Sequence, residues 1–236
     1  MMQKGKLYLI PSTIGESSVN KVIPSYNVEI INKIDTFIVE EIRTARRFLK
    51  KAGILKPIDD LTFLILNEHT KFEEILNYLE VIDNGNNIGL LSEAGVPCIA
   101  DPGADIVKIA QEKNIDVVPL VGPSSILMSL MASGFNGQNF AFLGYLPIDK
   151  KMRSDKIREI ERNIYQNDQT QLFIEAPYRN NQLIEALMST CRNDTMLCIA
   201  CDVSLDKEFI KTKSIANWKK TKFDFHKRAT VFLLYK

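Results

Sequence analysis

Two strings of small residues, Ser92-Glu93-Ala94-Gly95-Val96-Pro97 and Gly122-Pro123-Ser124-Ser125, are the parts of this chain best suited to hold a ligand. Each ends an apolar run, 88–91 and 117–121, and each is followed by a helical pattern. Loops of small residues let a ligand approach backbone N–H groups closely, and in open α/β sheets ligands bind outside the carboxyl ends of the strands. The same glycines also make tight turns, and Ser124 can serve as a helix cap as readily as a ligand donor. A second group is carboxylate and imidazole: Glu41 follows the apolar run 36–39, and Glu68-His69 follows the run 62–66. In a parallel sheet these residues share one edge. A Glu beside a His reads either as a hydrogen-bonded structural pair or as a proton-transfer pair, and no second histidine lies near enough in sequence to suggest a metal site.

The elements that position these groups follow from periodicity. Strands are expected at 6–11, 36–41, 62–66, 88–91 and 117–121, alternating with helical stretches at 17–33 (interrupted by Pro24), after 42, at 71–82 and at 105–113. Alternating strands and helices indicate a doubly wound parallel domain. Beyond the helix 125–133, strands are expected at 140–147, 170–177, 196–203, 209–218 and 229–235, with helices at 149–167 and 181–190. No Pro/Gly-rich linker separates the halves, so domains of 1–121 and 122–236 meet at a packing boundary. No Gly-x-Gly-x-x-Gly follows the first strand and no Gly-Lys-Ser/Thr loop occurs, which argues against a dinucleotide-binding dehydrogenase or a P-loop enzyme.

Composition narrows the class further. The 236 residues are 45% hydrophobic and 25% charged, ordinary for a soluble globular chain with one large or two small cores. No apolar run approaches the ~20 residues that span a bilayer. The opening Met-Met-Gln-Lys-Gly-Lys lacks a signal-peptide pattern, so a cytoplasmic location is expected. Four cysteines do not make a disulfide framework. Cys198 and Cys201 match a bare thiol-pair spacing, but residues three apart on a strand face opposite sides, and zinc would want a second pair. Net charge is +1, yet cations cluster: Arg43, Arg46, Arg47, Lys50 and Lys51; then Lys150, Lys151, Arg153, Lys156 and Arg158; and a third group between Lys207 and Arg228. Such groups are phosphate-contacting patches or solvated helix faces.

The ordered string Ser92-Glu93-Ala94-Gly95-Val96-Pro97, Asp101-Pro102-Gly103 and Gly122-Pro123-Ser124-Ser125 resembles the tetrapyrrole methylase family of S-adenosylmethionine-dependent methyltransferases. Its nearest branch is the small-subunit ribosomal RNA cytidine ribose 2′-O-methyltransferases. The likeness runs nearly the whole chain and is strongest between Gly89 and Pro147. It implies a two-domain α/β fold with a parallel N-terminal sheet, a mixed C-terminal sheet and S-adenosylmethionine in the cleft, and a homodimer. It implies cofactor contacts from Pro11, Ser92, Glu93, Ala94, Gly95, Val96, Ser124, Ser125, Glu175 and Ala176. For a ribose acceptor, Glu41, Glu68 and His69 are the candidates to assist the hydroxyl, with Arg43 and Arg179 to hold phosphate. No metal is expected.

The chain departs from the family pattern at several positions. Ser12, Thr13 and Glu16 stand where the first loop has Thr, Pro and Asn. Ile42 replaces a Thr, Asn67 a His, Thr70 an Asn and Tyr178 a His, while Cys201 and Leu205 replace an Arg and a Lys. The sequence ends at Lys236, where the RNA-modifying branch continues past its last strand. Near-neutral charge and that ending point toward a small-molecule acceptor such as a tetrapyrrole; the Glu41/Arg43 and Glu68/His69 remnants and the basic helix point toward ribosomal RNA. The accumulated departures also permit a protein that binds the cofactor without turnover.

Overall fold

A computed structural model describes residues 4–67 and 69–236. The chain divides into two compact units, 1–124 and 125–236. In the first, strands β1 (Leu7–Ile10), β2 (Thr36–Val39), β3 (Thr62–Ile65), β4 (Ile88–Leu91) and β5 (Val117–Pro119) form a sheet of order β3-β2-β4-β1-β5, every neighbouring pair parallel. Helices α1 (Val19–Val22), α2 (Ser25–Ile31), α3 (Ile42–Ala52), α4 (Phe72–Asn77), α5 (Glu80–Asp83) and α6 (Ala104–Glu112) lie between the strands in sequence. Helices on both faces leave β4 buried throughout, and such strands read as continuous apolar runs. One core gathers Ile31, Phe37, Val39 and Leu49; the other gathers Leu7, Ile38, Leu90 and Ile106. The alternation of Phe37 and Ile38 between those cores is the period of two expected of a strand.

The second unit carries a mixed sheet of order β6-β7-β10-β8-β9. Its strands are β6 (Phe140–Tyr145), β7 (Thr170–Ile174), β8 (Met196–Cys201), β9 (Phe209–Ser214) and β10 (Thr230–Tyr235). Only β6 and β7 are parallel; β10 runs against both β7 and β8, and β9 against β8. Helices α7 (Ser125–Ser133), α8 (Lys150–Asn167), α9 (Asn180–Thr190) and α10 (Ile215–Trp218) complete it. Fully buried Ile157, Ile160 and Ile164 of α8 and Leu183 and Leu187 of α9 pack with Phe173 and Phe232 of the sheet.

Two expected elements are corrected. The helix expected over 71–82 is broken into α4 and α5, with Leu79 at φ −90° and ψ 0°. The break coincides with Tyr78, whose hydroxyl donates to the Ile65 carbonyl at 2.6 Å and pins the chain to the end of β3. The strand expected over 209–218 ends at Ser214, whose hydroxyl caps α10 by accepting from the Asn217 amide at 3.3 Å. That turn buries Trp218, and its indole N–H donates to the Leu197 carbonyl at 2.8 Å. Cys198 and Cys201 are both buried in separate core clusters, on opposite faces of β8.

Candidate functional site

The parallel register brings the first unit's strand ends level. Val39, Ile65 and Leu91 are aligned across β2, β3 and β4, so the residues two positions further on, Glu41, Asn67 and Glu93, emerge along one edge. Together with Glu40 and Pro102 they line a cavity of about 470 Å³. On the other side of β4 the loop after β1 joins in: the Ser12 amide donates to the Gly95 carbonyl at 2.9 Å.

The fit of these loops depends on two glycines. Gly95 has φ +75°, and a Cβ there would lie 2.8 Å from the Pro123 carbonyl oxygen. A Cβ on Gly122 would lie 2.2 Å from Cγ of Pro11. Three loops, after β1, β4 and β5, therefore pack closely at one corner, with Pro11, Ser12 and Ser92 buried in it. Ala94 and Glu93 remain exposed and Val96 half-buried. Within the same long loop Cys98 and Ala100 take left-handed backbone angles, φ 68° and 58°, which non-glycine residues adopt only where the surroundings hold them. Ser124 directly precedes α7, and Ser125 opens that helix, its carbonyl accepting from the Ser129 hydroxyl at 2.6 Å.

The acidic edge is electrostatically tuned. Glu40 is half-buried, and its carboxyl is pushed up to about 6, first by burial and then by the nearby Asp101 and Glu93 charges. Glu93 accepts from the Thr44 hydroxyl at 2.6 Å and from the Glu41 amide at 3.2 Å. Glu41 caps α3 through its own side chain, which accepts from the Arg43 amide at 3.0 Å. Sequence reasoning singled out Glu41 and Glu93, passed over Glu40 and Thr44 as site residues, and carried Asp101 only as part of a loop string. The adjacent Glu40-Glu41 pair at a strand end was the available signal for the first; the others needed the fold.

His69 is exposed, and its amide donates to Oδ1 of Asn67 at 2.9 Å. The Asn67 amide in turn donates to the Thr70 hydroxyl at 2.9 Å. Asn67 and Thr70, both departures from the family pattern, thus close a local turn on each other. Glu68 lies outside the described residues. Arg43 is exposed on the first turn of α3.

In the second unit, the Glu175 side chain is wholly buried at the end of β7. Its Oε1 accepts from the Arg179 guanidinium at 2.6 and 2.9 Å and from the Ala176 amide at 2.7 Å, while Oε2 has no partner among the described residues. Arg179 also donates to the Tyr178 hydroxyl at 2.8 Å and lies 5.0 Å from that ring's centre. Tyr178 therefore helps orient the arginine. Arg179 and Ala176 line a cavity of about 530 Å³ with Tyr145, Leu146, Pro147 and Ile148. After β8, where the family pattern carries Arg at the Cys201 position, Asp202 is paired at 2.7 Å with Arg228, brought from the far end of the unit.

What the strand-end corner suits is a cationic ligand with polar edges. Among the described residues the cavity at Glu40, Glu41, Asn67 and Glu93 is lined by three carboxylates and no cation, and the neighbouring loops are closely packed. A sulfonium cofactor meets both conditions.

Comparison with known proteins agrees with this chemistry. Residues 27–217 match the model of the tetrapyrrole (corrin/porphyrin) methylases. The chain is 31% identical over 213 residues, 90% of its length and 71% of the relative's, to ribosomal RNA small subunit methyltransferase I of Haemophilus influenzae. The protein of that name from Pasteurella multocida is 28% identical, with 90% and 72% covered. The methyltransferase CobJ shares the fold, with a TM-score of 0.65 at 14% identity over 98% of this chain and 94% of that one. The chain belongs to the tetrapyrrole methylase family of S-adenosylmethionine-dependent methyltransferases.

Proposed function

We propose that this protein transfers a methyl group from S-adenosylmethionine to a ribose 2′-hydroxyl of small-subunit ribosomal RNA. The observation that carries the acceptor is the alignment, over most of this chain, with relatives named for ribosomal RNA. Bound S-adenosylmethionine supplies an electrophilic methyl on a cationic sulfur. The residues proposed to hold it are Pro11, Ser92, Glu93, Ala94, Gly95, Val96, Ser124, Ser125, Glu175 and Ala176, whose backbone groups and hydroxyls suit its carboxylate and ribose. The unpartnered Oε2 of buried Glu175 is an acceptor of the kind a cofactor N–H or O–H would satisfy.

The acceptor side rests on Glu41, Arg43, Glu68, His69 and Arg179. To these we add Glu40, which lines the same cavity as Glu41 and Glu93. A ribose hydroxyl is a very weak acid, and a base is most effective when its pKa lies near the working pH. Glu41 is committed to capping α3, so Glu40, lifted to about 6, is the better-placed proton acceptor on that edge. Arg43 and Arg179 hold phosphate oxygens by paired N–H donation.

A homodimer is part of this reading. Leu127 and Met131, one turn apart on α7, are 50% and 82% exposed and form the apolar strip a second copy would cover. Sedimentation of the purified chain tests it: a monomer at micromolar concentration overturns the dimer. No helix among the described residues is long and apolar enough to cross a membrane, and no group of three metal-ligating side chains gathers among them. The cytoplasmic location belongs to this reading through its ribosomal acceptor, and a metal-free transfer through the sulfonium, which already carries an activated methyl.

The deciding experiment supplies labelled S-adenosylmethionine to small ribosomal subunits that lack ribose methylation. Label in the RNA at a ribose, lost in Glu40→Gln with cofactor affinity retained, is the expected result. Cofactor binding with no label in RNA would overturn the acceptor assignment.

A further inference from the structure

We propose that the exposed face of α3, formed by Arg43, Arg46, Arg47 and Lys50, is a rail for the phosphodiester backbone of the acceptor RNA, and that Glu16 occupies part of it until RNA displaces it. The inference rests on the RNA reading above and specifies where that RNA lies. The four cations are spaced i, i+3, i+4 and i+7, which is one helix face. The opposite face buries Ala45, Phe48, Leu49 and Ala52 in the core, so the charged stripe is not needed for packing. Together with Glu41 and Ile42 the stripe lines a groove of about 490 Å³.

Helix stability does not account for this arrangement. Cations in a last turn are favoured by the helix dipole, which explains Lys50 and Lys51, but Arg43 sits in the first turn, where the dipole opposes it. Like charges three and four apart also repel, at about 0.2–0.5 kcal/mol per pair in isolated helices. The stripe is therefore a cost to the fold that an anionic partner would repay. The site is also well placed. α3 begins three residues after β2 ends, so Arg43 lies beside the Glu41–Glu93 edge, and at 1.5 Å per residue the stripe runs about 10 Å away from it.

The carboxylates now on this face are weakly held. Glu16, 78% exposed, sits 2.6 Å from Lys51 and 3.8 Å from Arg47, and Asp59, 86% exposed, pairs with Arg46. Exposed pairs of this kind contribute little and exchange readily for phosphate. Arg43 and Lys50 form no ion pair among the described residues.

The test is binding of a single-stranded oligoribonucleotide to the full chain over a range of sodium chloride concentrations. Each phosphate contact adds roughly 0.7 to the slope of log affinity against log salt. Arg46→Gln/Lys50→Gln is expected to flatten that slope by about 1.4 and to weaken low-salt binding about tenfold, with affinity for S-adenosylmethionine unchanged as the control for folding. Glu16→Gln is expected to do the reverse, tightening binding and steepening the slope. If wild-type protein methylates ribosomal RNA but neither variant alters the slope, the rail is overturned while the acceptor assignment stands. If wild-type protein neither binds nor methylates RNA, both fall. Binding to phosphatidylserine vesicles in place of RNA would also overturn the proposal.

Discussion

The Glu93 carboxylate takes the Thr44 hydroxyl at 2.6 Å, joining the loop after β4 to the first turn of α3 across 49 residues of sequence. Glu93 therefore belongs to the scaffold of the strand-end corner: by also accepting from the Glu41 amide it ties the two acidic strand ends together. Glu93→Ala should cost about 1 kcal/mol of stability, because the groups it releases are exposed and can turn to water. The loop it frees should bind S-adenosylmethionine several-fold more weakly. Paired with Thr44→Ala in a double-mutant cycle, chemical denaturation should give a coupling near 1 kcal/mol; strict additivity would show that the contact contributes nothing.

Glu40 sets a pH dependence. With its carboxyl raised to about 6 by burial and by Asp101 and Glu93, it is protonated in the folded chain where an unfolded Glu, near 4.5, would be ionised. The folded state thus binds more protons between about pH 4.5 and 6, so Glu40's contribution is most favourable below 4.5 and is lost as pH rises through 6. Glu40→Gln should stabilise the protein at pH 7 by no more than about 1 kcal/mol, allowing for partial exposure, and by nothing at pH 4. As a general base Glu40 should also give kcat an ascending limb near pH 6. Glu40→Gln should lower kcat by 10²–10⁴-fold and remove that limb. A purely structural Glu40 would shift the stability curve and leave the pH–rate profile in place.

Much of the fold was legible because the first unit is built from local signals. Buried parallel strands read as apolar runs such as 88–91, and Gly95, Pro97 and Gly103 mark where a strand cannot continue. Alternation of strands and helices then implied the parallel sheet, and parallel strands put Glu41 and Glu93 on one edge. What the residues could not disclose was long-range pairing. Nothing near Glu93 announces Thr44, and nothing near Asp202 announces Arg228, 26 positions away. The break at Leu79 is of the same kind, since the periodicity of Ile75, Leu79 and Ile82 suits an unbroken helix and Tyr78's anchor lies on β3. Several departures from the family pattern became intelligible only in three dimensions: Asn67 and Thr70 bond to each other, and Tyr178 bonds to Arg179.

Gly122 tests the strand-end corner directly. A methyl group there would meet the Pro11 ring at 2.2–2.3 Å, and neither a proline ring nor the loop behind it can yield that distance cheaply. Gly122→Ala should separate the loops after β1 and β5, with a loss of S-adenosylmethionine affinity of at least tenfold by calorimetry. Gly137→Ala, where an added Cβ meets nothing within 4 Å, is the control and should bind normally. Equal affinity in both variants would remove this corner from the cofactor site.

The cysteines should be inert in the folded chain. Burial, reinforced by Asp101, pushes the Cys98 thiol up to about 11, and burial with Glu161 pushes Cys191 to about 12. Burial raises Cys198 and Cys201 as well. Since the thiolate is the reactive form, a disulfide reagent at pH 7 should modify native protein orders of magnitude more slowly than urea-unfolded protein. Rapid stoichiometric labelling of Cys198 and Cys201 would contradict their burial on β8.

Glu175 separates a structural from a binding role at the second unit's site. Among the described residues its Oε1 receives all three donors and Oε2 has none, which leaves Oε2 to meet a ligand, and the ion pair fixes Arg179. Glu175→Gln keeps the shape but places a neutral amide against a guanidinium, with an NH2 donor group where one acceptor oxygen was. Losing a buried charge-assisted bond typically costs a few kcal/mol, because the cation keeps its burial and loses its counter-charge. Arg179 is only partly buried, with 17% of its side chain exposed, so the lower end, about 1–2 kcal/mol, is expected by denaturation. If Arg179 holds acceptor phosphate, Arg179→Lys should keep cofactor affinity and raise KM for ribosomal subunits about tenfold, since an ammonium cannot make the paired contact. If Glu175 meets the cofactor, Glu175→Gln should weaken S-adenosylmethionine while Arg179→Lys does not. A common fall in both affinities for both variants would mean that the pair only holds β7 and α9 together.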